Sequence, residues 1–230
     1  MGKKLLKLIM LGLLIINLTG CKKEKCQCDT ALTNTYVGTN GNANEQHYTS
    51  EELEKNIKTS GVVAEDGNLI IFTTNENQVN VDMTFEISFY DADGKIVGSD
   101  KEYLRSVGPN SETAIRIWLL PDYYDSYTIY VDAEQSGAKC YIDQIELSHN
   151  NNGENVLAQI KNNSQDIIET ITVSVVYYKD NQPIGINIDY ESDIKPERLA
   201  NFTFSYPRNK NFKKINFDSY KIFINEVYSY

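Results

Sequence analysis

Reactive side chains are scarce in this sequence. The 230 residues include 4 cysteines and 2 histidines. The thiols are Cys21, Cys26, Cys28 and Cys140, and the imidazoles are His47 and His149. A nucleophilic cysteine needs a base within hydrogen-bond reach and a third group that orients the base. Cys140 and His149 fall nine residues apart. A Cys-His hydrolase at a domain junction is therefore the enzyme these residues would permit, but no third residue is identifiable. The Gly-x-Ser-x-Gly elbow, the His-Glu-x-x-His zinc pair and the glycine-rich phosphate loop are all missing. The expectation is a non-enzymatic protein with no catalytic residue and no cofactor. Cys26 and Cys28 are too close for an easy mutual disulfide and lack nearby partners to complete a zinc site. Asp91-Ala92-Asp93-Gly94 opens like a calcium loop, with Glu102 eight residues after the glycine. Ile96 and Val97 continue as a strand through the middle of that loop, so a hairpin turn with Gly94 at positive φ is expected and no metal.

The first thiol has a different chemistry. Lys3, Lys4 and Lys7 make a basic start, and Leu8 to Leu18 is an apolar run. That run is shorter than the ~20 apolar residues a bilayer span needs, and it reads as the core of an export signal. The segment ends Leu18-Thr19-Gly20-Cys21, which resembles the lipobox of bacterial lipoproteins. The resemblance implies a diacylglyceryl group, with acyl chains of the palmitate kind, on the Cys21 thiol. It also implies cleavage after Gly20, which leaves Cys21 as the new N-terminus. Residues 1–20 would then be the signal peptide, and the membrane would be the first partner, through Cys21. Two or more acyl chains anchor stably where one binds marginally, and Lys22, Lys23 and Lys25 would favour anionic headgroups. The implied location is the outer face of the bacterial cell membrane. With Cys21 lipidated, three thiols remain, which leaves no complete pairing within one monomer.

Residues 21–56 read as a polar, flexible tether. Ser50 followed by Glu51 and Glu52 could start a short helix with Ser50 as its N-cap, and Leu53 with Ile57 would lie on one face of it. His47 sits in this tether as a solvated side chain. Beyond it the sequence repeats. At a constant offset of 88, Leu69 to Tyr90 falls over Leu157 to Tyr178. Phe72 meets Ile160, Met83 meets Ile171, Phe85 meets Val173, Ile87 meets Val175 and Phe89 meets Tyr177. Met83 to Phe89 (MTFEISF) and Ile171 to Tyr177 (ITVSVVY) show the period-2 alternation of half-buried strands. Ala114 to Leu119 matches Asn201 to Tyr206, and DSYTIYV (Asp125 to Val131) matches DSYKIFI (Asp218 to Ile224). Ile142, Ile145 and Leu147 suggest the first strand of the second copy.

About seven short strands per copy, broken by Gly, Asn, Asp and Pro turns, indicate an all-β protein. The expected architecture is two tandem β-sandwiches of immunoglobulin or fibronectin III type, over residues 57–138 and 139–230. A single β-barrel is the alternative. Cys-Trp-Cys spacing is absent, which excludes the disulfide-pinned antibody variant. The block Ile87-Ser88-Phe89-Tyr90-Asp91, followed by Ala92-Asp93-Gly94-Lys95-Ile96-Val97-Gly98, resembles the FxLYD domain of bacterial surface lipoproteins. The second copy has Val175, Tyr177, Tyr178 and Lys179 there and lacks the aspartate. The resemblance implies small β-sandwiches and a surface location, with no substrate.

Two surface clusters could touch a ligand. Trp118, Tyr123 and Tyr124 form an aromatic corner able to stack on a sugar or hold a peptide. Arg208, Lys210, Lys213 and Lys214 form a basic loop in a chain of net charge -10. That loop could face an envelope protein, an anionic wall polymer or lipid headgroups. The acidic balance argues against nucleic acid as a partner. The expected role is a lipid-anchored spacer or binding module, with a solute- or glycan-binding lipoprotein as the alternative.

Overall fold

Strand β3 (Val81–Tyr90) sits at the centre of the first copy, because its alternation gives it one face for the core and one for the outside. Val81, Met83, Phe85, Ile87 and Phe89 are all buried. The computed structural model describes residues 48–118, 120–209 and 211–230. Among them, residues from 48 onward belong to one compact unit. The export segment, Cys21, Cys26, Cys28, His47 and Lys210 lie outside the described residues.

In the first copy β3 pairs antiparallel with β4 (Ile96–Val107) and β6 (Ser126–Gln135), giving the order β4-β3-β6. The facing sheet has the order β1-β2-β5, from β1 (Ile57–Val63), β2 (Leu69–Asn75) and β5 (Glu112–Ile117). The second copy repeats both. Its facing sheet is β12-β9-β8, from β8 (Ile145–Asn151), β9 (Asn155–Asn162) and β12 (Leu199–Ser205). Its hairpin sheet is β11-β10-β13-β7, from β7 (Lys139–Cys140), β10 (Ile168–Lys179), β11 (Gln182–Ile194) and β13 (Ser219–Ser229). These are two all-β sandwiches, of six and seven strands. The expected first strand through Ile142 is instead two pieces, β7 and β8, joined by a 3₁₀ turn at Ile142–Gln144.

The segment before each first strand closes the sandwich. In copy 1 it is α1 (Ser50–Glu54), capped by Thr49 rather than Ser50. The Glu52 amide donates to Thr49 Oγ1 at 3.3 Å and the Thr49 amide to Glu52 Oε2 at 2.9 Å, a reciprocal capping box. The helix ends before Ile57, which opens β1. Leu53 is buried in the first core, and Tyr141, 88 residues later, is buried in the second. Both copies also bury an asparagine at the end of the second strand of the facing sheet. Asn75 Nδ2 donates to the carbonyls of Val79, Val107 and Gly108. Asn162 Nδ2 donates to those of Asp166 and Ile194. These amides satisfy loop carbonyls that the strands leave unpaired.

That asparagine pair corrects the repeat alignment. Asn75 and Asn162 are 87 apart, not 88, so Thr73 rather than Phe72 corresponds to core residue Ile160. Phe72 faces the other way. The extra residue enters at β10, where Glu169 and Thr170 separate buried Ile168 and Ile171. Asp82 alone separates Val81 and Met83. A one-residue slip exchanges the faces of a strand.

The central hairpins keep their aromatic strand and their glycine for a packing reason. A Cβ on Gly98 would sit 2.6 Å from Pro121 Cγ, and one on Gly185 would sit 2.7 Å from Pro207 Cβ. Each glycine lets a proline from the crossing loop close over the hairpin. The turns themselves differ. Gly94 has φ +79° as expected. Asp91 Oδ1 accepts from the amides of Asp93 and Lys95 at 3.0 and 2.9 Å, so this carboxylate ties the turn. Copy 2 uses two positive-φ residues, Asp180 and Asn181, as a two-residue turn.

In the sheet β1-β2-β5, strands β2 and β5 are covered on both faces, while β1 is largely open. The sheet's inner face meets the first core, and its outer face packs on the outer face of β11-β10-β13. Ala64, Ile70 and Ala114 meet Val176, Ile186 and Phe223 there, flanked by Val62, Phe72, Tyr178 and Ile188. The sheets thus stack four deep, β4-β3-β6 outermost at one end and β12-β9-β8 at the other. Polar groups fasten the seam. Asn225 Nδ2 donates to the Ala114 carbonyl at 2.9 Å, and the Ala114 amide donates to Asn225 Oδ1 at 3.0 Å. The Ile186 amide donates to Asp66 Oδ2 and the Asp66 amide to the Ile184 carbonyl, both at 3.1 Å.

Candidate functional site

The rim of that seam holds a recess of about 250 Å³ lined by residues of both sandwiches. β4 contributes Glu102 and Tyr103, β5 contributes Arg116 with Trp118 just beyond it, and β10 and β13 contribute Thr172, Asn225 and Glu226. Arg116 occupies an outward position of β5, so the stacking of copy 2 on that face half-buries it. Its Nη1 donates to the Ile186 carbonyl at 3.3 Å, while its buried Nε has no partner. Among the described residues no carboxylate lies within ion-pair distance of it. Burial lowers its pKa to about 10 against the opposing pull of Asp66 and Glu102. The guanidinium also stacks 3.3 Å from the Trp118 ring centroid, a cation–π contact on one face of the indole.

Two glutamates share the recess. Burial raises the Glu102 carboxyl above the ordinary range; Asp100 adds to this and Arg116 opposes it. Burial also raises Glu226, although its oxygens accept from the Thr172 hydroxyl at 2.6 Å and the Arg105 amide at 2.7 Å. The recess is smaller than the ~300–1,000 Å³ of pockets that enclose a drug-sized ligand. It has room for one ring or one side chain, with hydrogen-bond partners of both kinds and an exposed aromatic edge.

The aromatic corner divides. Trp118 is 62% exposed and belongs to this recess, while Tyr123 is 87% exposed. Tyr124 packs edge-on against Phe89 at 5.2 Å between ring centroids and supports the first core. The described residues of the basic loop form a small hairpin. Arg208 bridges antiparallel to Lys214, Arg208 Nη1 donates to the Phe212 carbonyl at 2.8 Å, and Lys214 Nζ lies 3.8 Å from the Tyr206 ring centroid. Lys213 is exposed on the same loop.

Cys140 and His149 do not come together. Cys140 pairs with Tyr228 on β13, and burial raises its thiol pKa, which leaves it protonated. His149 is in β8, and its Nδ1 lies 3.0 Å from the Tyr220 hydroxyl. Tyr220 and Tyr228 are eight residues apart on one strand, about 26 Å at ~3.3 Å per residue. The pair is thus too far apart for proton transfer. Among the described residues no cluster of His, Cys, Asp and Glu could hold a metal ion, and no helix is long and apolar enough to cross a membrane.

Sequence reasoning found Trp118 and the basic loop, weighed Glu102 only as a calcium-loop position and missed Arg116 and Glu226; the meeting of these three depends on how one copy stacks on the other. No protein-family model and no curated protein matches this chain. Among solved structures, the crystal structure of red sea bream transglutaminase is similar over 65% of this chain, at 11% identity and a TM-score of 0.23. The chain spans 27% of that protein's length, and at that score the likeness carries no argument about activity.

Proposed function

We propose that this is a lipid-anchored protein of the bacterial cell surface whose two FxLYD-like sandwiches act as one non-enzymatic spacer and binding module. The observation that carries the reading is Leu18-Thr19-Gly20-Cys21 at the end of an apolar run behind three lysines. The fold supports the module part. Two sandwiches sharing an apolar seam make a stiff body, which suits holding a surface at a set distance from an anchor. The Cys21→Ala protein is expected either to stay uncleaved or to leave the detergent phase on partitioning of the producing cell's envelope. Unchanged partitioning and processing would sink the reading.

A solute- or glycan-binding role is the second reading, favoured by the rim recess. Arg116, Glu102 and Glu226 offer donors and acceptors beside the indole of Trp118, a combination suited to a polyol ring or a peptide side chain. Thermal unfolding in the presence of sugars and short peptides decides it. A rise in Tm that Trp118→Ala abolishes supports the recess, and no rise with any of them removes it.

A further inference from the structure

The crossing loop that leads into the last strand differs in length between the copies. In copy 1, Asp125 follows Pro121 after four residues; in copy 2, Asp218 follows Pro207 after eleven, so seven residues are added. The flanks are equivalent. The Asp125 amide donates to the Tyr90 carbonyl at 2.7 Å, and the Asp218 amide to the Tyr178 carbonyl at 2.8 Å. Copy 1 completes the same fold without the insertion, so the sandwich itself does not call for the exposed residues at its tip.

The inserted stretch carries Arg208, Lys210, Lys213 and Lys214 and no acid between Pro207 and Phe217, in a chain of net charge -10. At its tip Phe212 is 80% exposed. The backbone fastens it there. Phe212 has φ +59°, a conformation that bulky residues rarely adopt. Its amide donates to the Asn209 carbonyl at 2.8 Å, and Asn209 Oδ1 accepts from the amides of Asn211 and Lys213 at 2.9 and 3.1 Å. Below the tip, Ile215 is buried and its amide donates to the Pro207 carbonyl at 2.9 Å. The loop therefore presents a phenyl ring outward, with exposed Lys213 next to it in the chain and Arg208 bonded to the Phe212 carbonyl.

We infer that this loop is a membrane-docking tip, with Phe212 entering the headgroup–acyl boundary of an anionic bilayer and Arg208, Lys213 and Lys214 meeting lipid phosphates. The exposed ring selects the occupant. A lone phenyl ring gains at most one stacking face from a soluble anionic polymer, whereas a bilayer offers apolar depth just beneath its phosphates. Glu154 beside Arg208 and Lys214 is the one acid lining the neighbouring recess. The inference rests on the membrane-surface reading above, and its test leaves out the anchor.

A protein of residues 48–230 keeps every strand and both cores. It is mixed with vesicles of phosphatidylglycerol and phosphatidylcholine, or of phosphatidylcholine alone, and sedimented. Binding to the anionic vesicles alone is expected, weakening as salt is raised. Phe212→Ala is expected to weaken it about tenfold, the low end of the loss for one buried aromatic side chain, and Lys213→Glu with Lys214→Glu to abolish it. Phe212 and Lys213 are exposed, so Phe212→Ala and Lys213→Glu alone, which spares the Lys214 contact with Tyr206, should leave Tm unchanged and separate lost docking from lost folding. Equal binding to both vesicle types overturns the inference, as does no binding. Binding that inorganic polyphosphate competes away and that Phe212→Ala leaves intact assigns the loop to an anionic polymer and also overturns it. None of these outcomes touches the Cys21 result, since Cys21 is absent from the protein tested.

Discussion

The two sandwiches share their cores and differ on their outer faces. In the hairpin sheets, Val176, Ile186 and Phe223 of copy 2 stand where copy 1 has Ser88, Ser99 and Tyr130. In the facing sheets the contrast reverses: Phe72 and Ala114 of copy 1 stand where copy 2 has Gln159 and Asn201. Each copy thus carries one apolar outer face, and it is not the same face. Joining unlike faces is head-to-tail packing, which propagates unless something stops it. Here the remaining outer faces are polar, as on the capping units of repeat proteins, so the stack closes at two.

Breaking the seam should have the largest effect. Val176 is fully buried against copy 1. Val176→Asp places an unpaired charge there and is expected to cost about 3–5 kcal/mol. Ser88→Asp, at the matching position on the open face of copy 1, should stay within about 0.5 kcal/mol. Urea unfolding of the two variants measures the difference. Similar losses would mean that the apolar face of copy 2 does not hold the sandwiches together.

The same contrast explains what the sequence made legible. β3 alternates because one of its faces is buried and the other is not, so its period gave the strand, its inward residues and the matching strand β10. β2 is buried on both faces, with Leu69, Ile70 and Ile71 all inside. A strand buried twice loses its alternation, so nothing local in β2 marks the one-residue offset at Phe72 that the extra residue of β10 creates. The six- and seven-strand counts, α1 as a plug and the glycine–proline contacts depend on tertiary neighbours that no local pattern encodes. The recess is the extreme case: Arg116 on its own reads as a solvated strand residue until copy 2 covers it. The basic loop was legible as charge, but Phe212 within it gained meaning only when its exposure and backbone angle were known.

Conserved packing across the two copies gives a smaller, graded effect. Gly98→Ala would drive a methyl group into Pro121, and Gly185→Ala into both Pro207 and Asp66 Oδ2, 2.9 Å away. Both are expected to destabilise by about 1–3 kcal/mol through overpacking. Gly185→Ala should cost more, because Asp66 also holds the Ile186 amide across the seam. Replacing Pro121 by Ala in the Gly98→Ala protein should recover part of the loss. A Gly98→Ala protein less stable than Gly185→Ala would show that the seam adds nothing at this glycine.

The smallest effect concerns a charge that only one copy buries. Glu226 pairs across from Thr172, as Asp132 does from Thr84 in copy 1, but Asp132 is exposed while Glu226 faces the seam. Burial holds the Glu226 carboxyl above the ordinary glutamate range, with Thr172 and the Arg105 amide pulling the other way. A carboxyl whose pKa is higher in the folded than in the unfolded chain binds its proton more tightly when folded. Its stabilising contribution is complete below the unfolded pKa of about 4.3 and is lost as pH rises through the folded value. Glu226→Gln cannot lose a proton, so its stability relative to the wild type should increase as pH is raised from about 4 toward neutrality, and the change should level off once the folded carboxyl is ionised. Asp132→Asn is the matched substitution on the open face. Unfolding free energies measured across that window decide the sign. A wild type that gains on Glu226→Gln with rising pH would mean that the hydrogen bonds from Thr172 and Arg105 outweigh burial, and that the seam at this point is wetter than its packing implies.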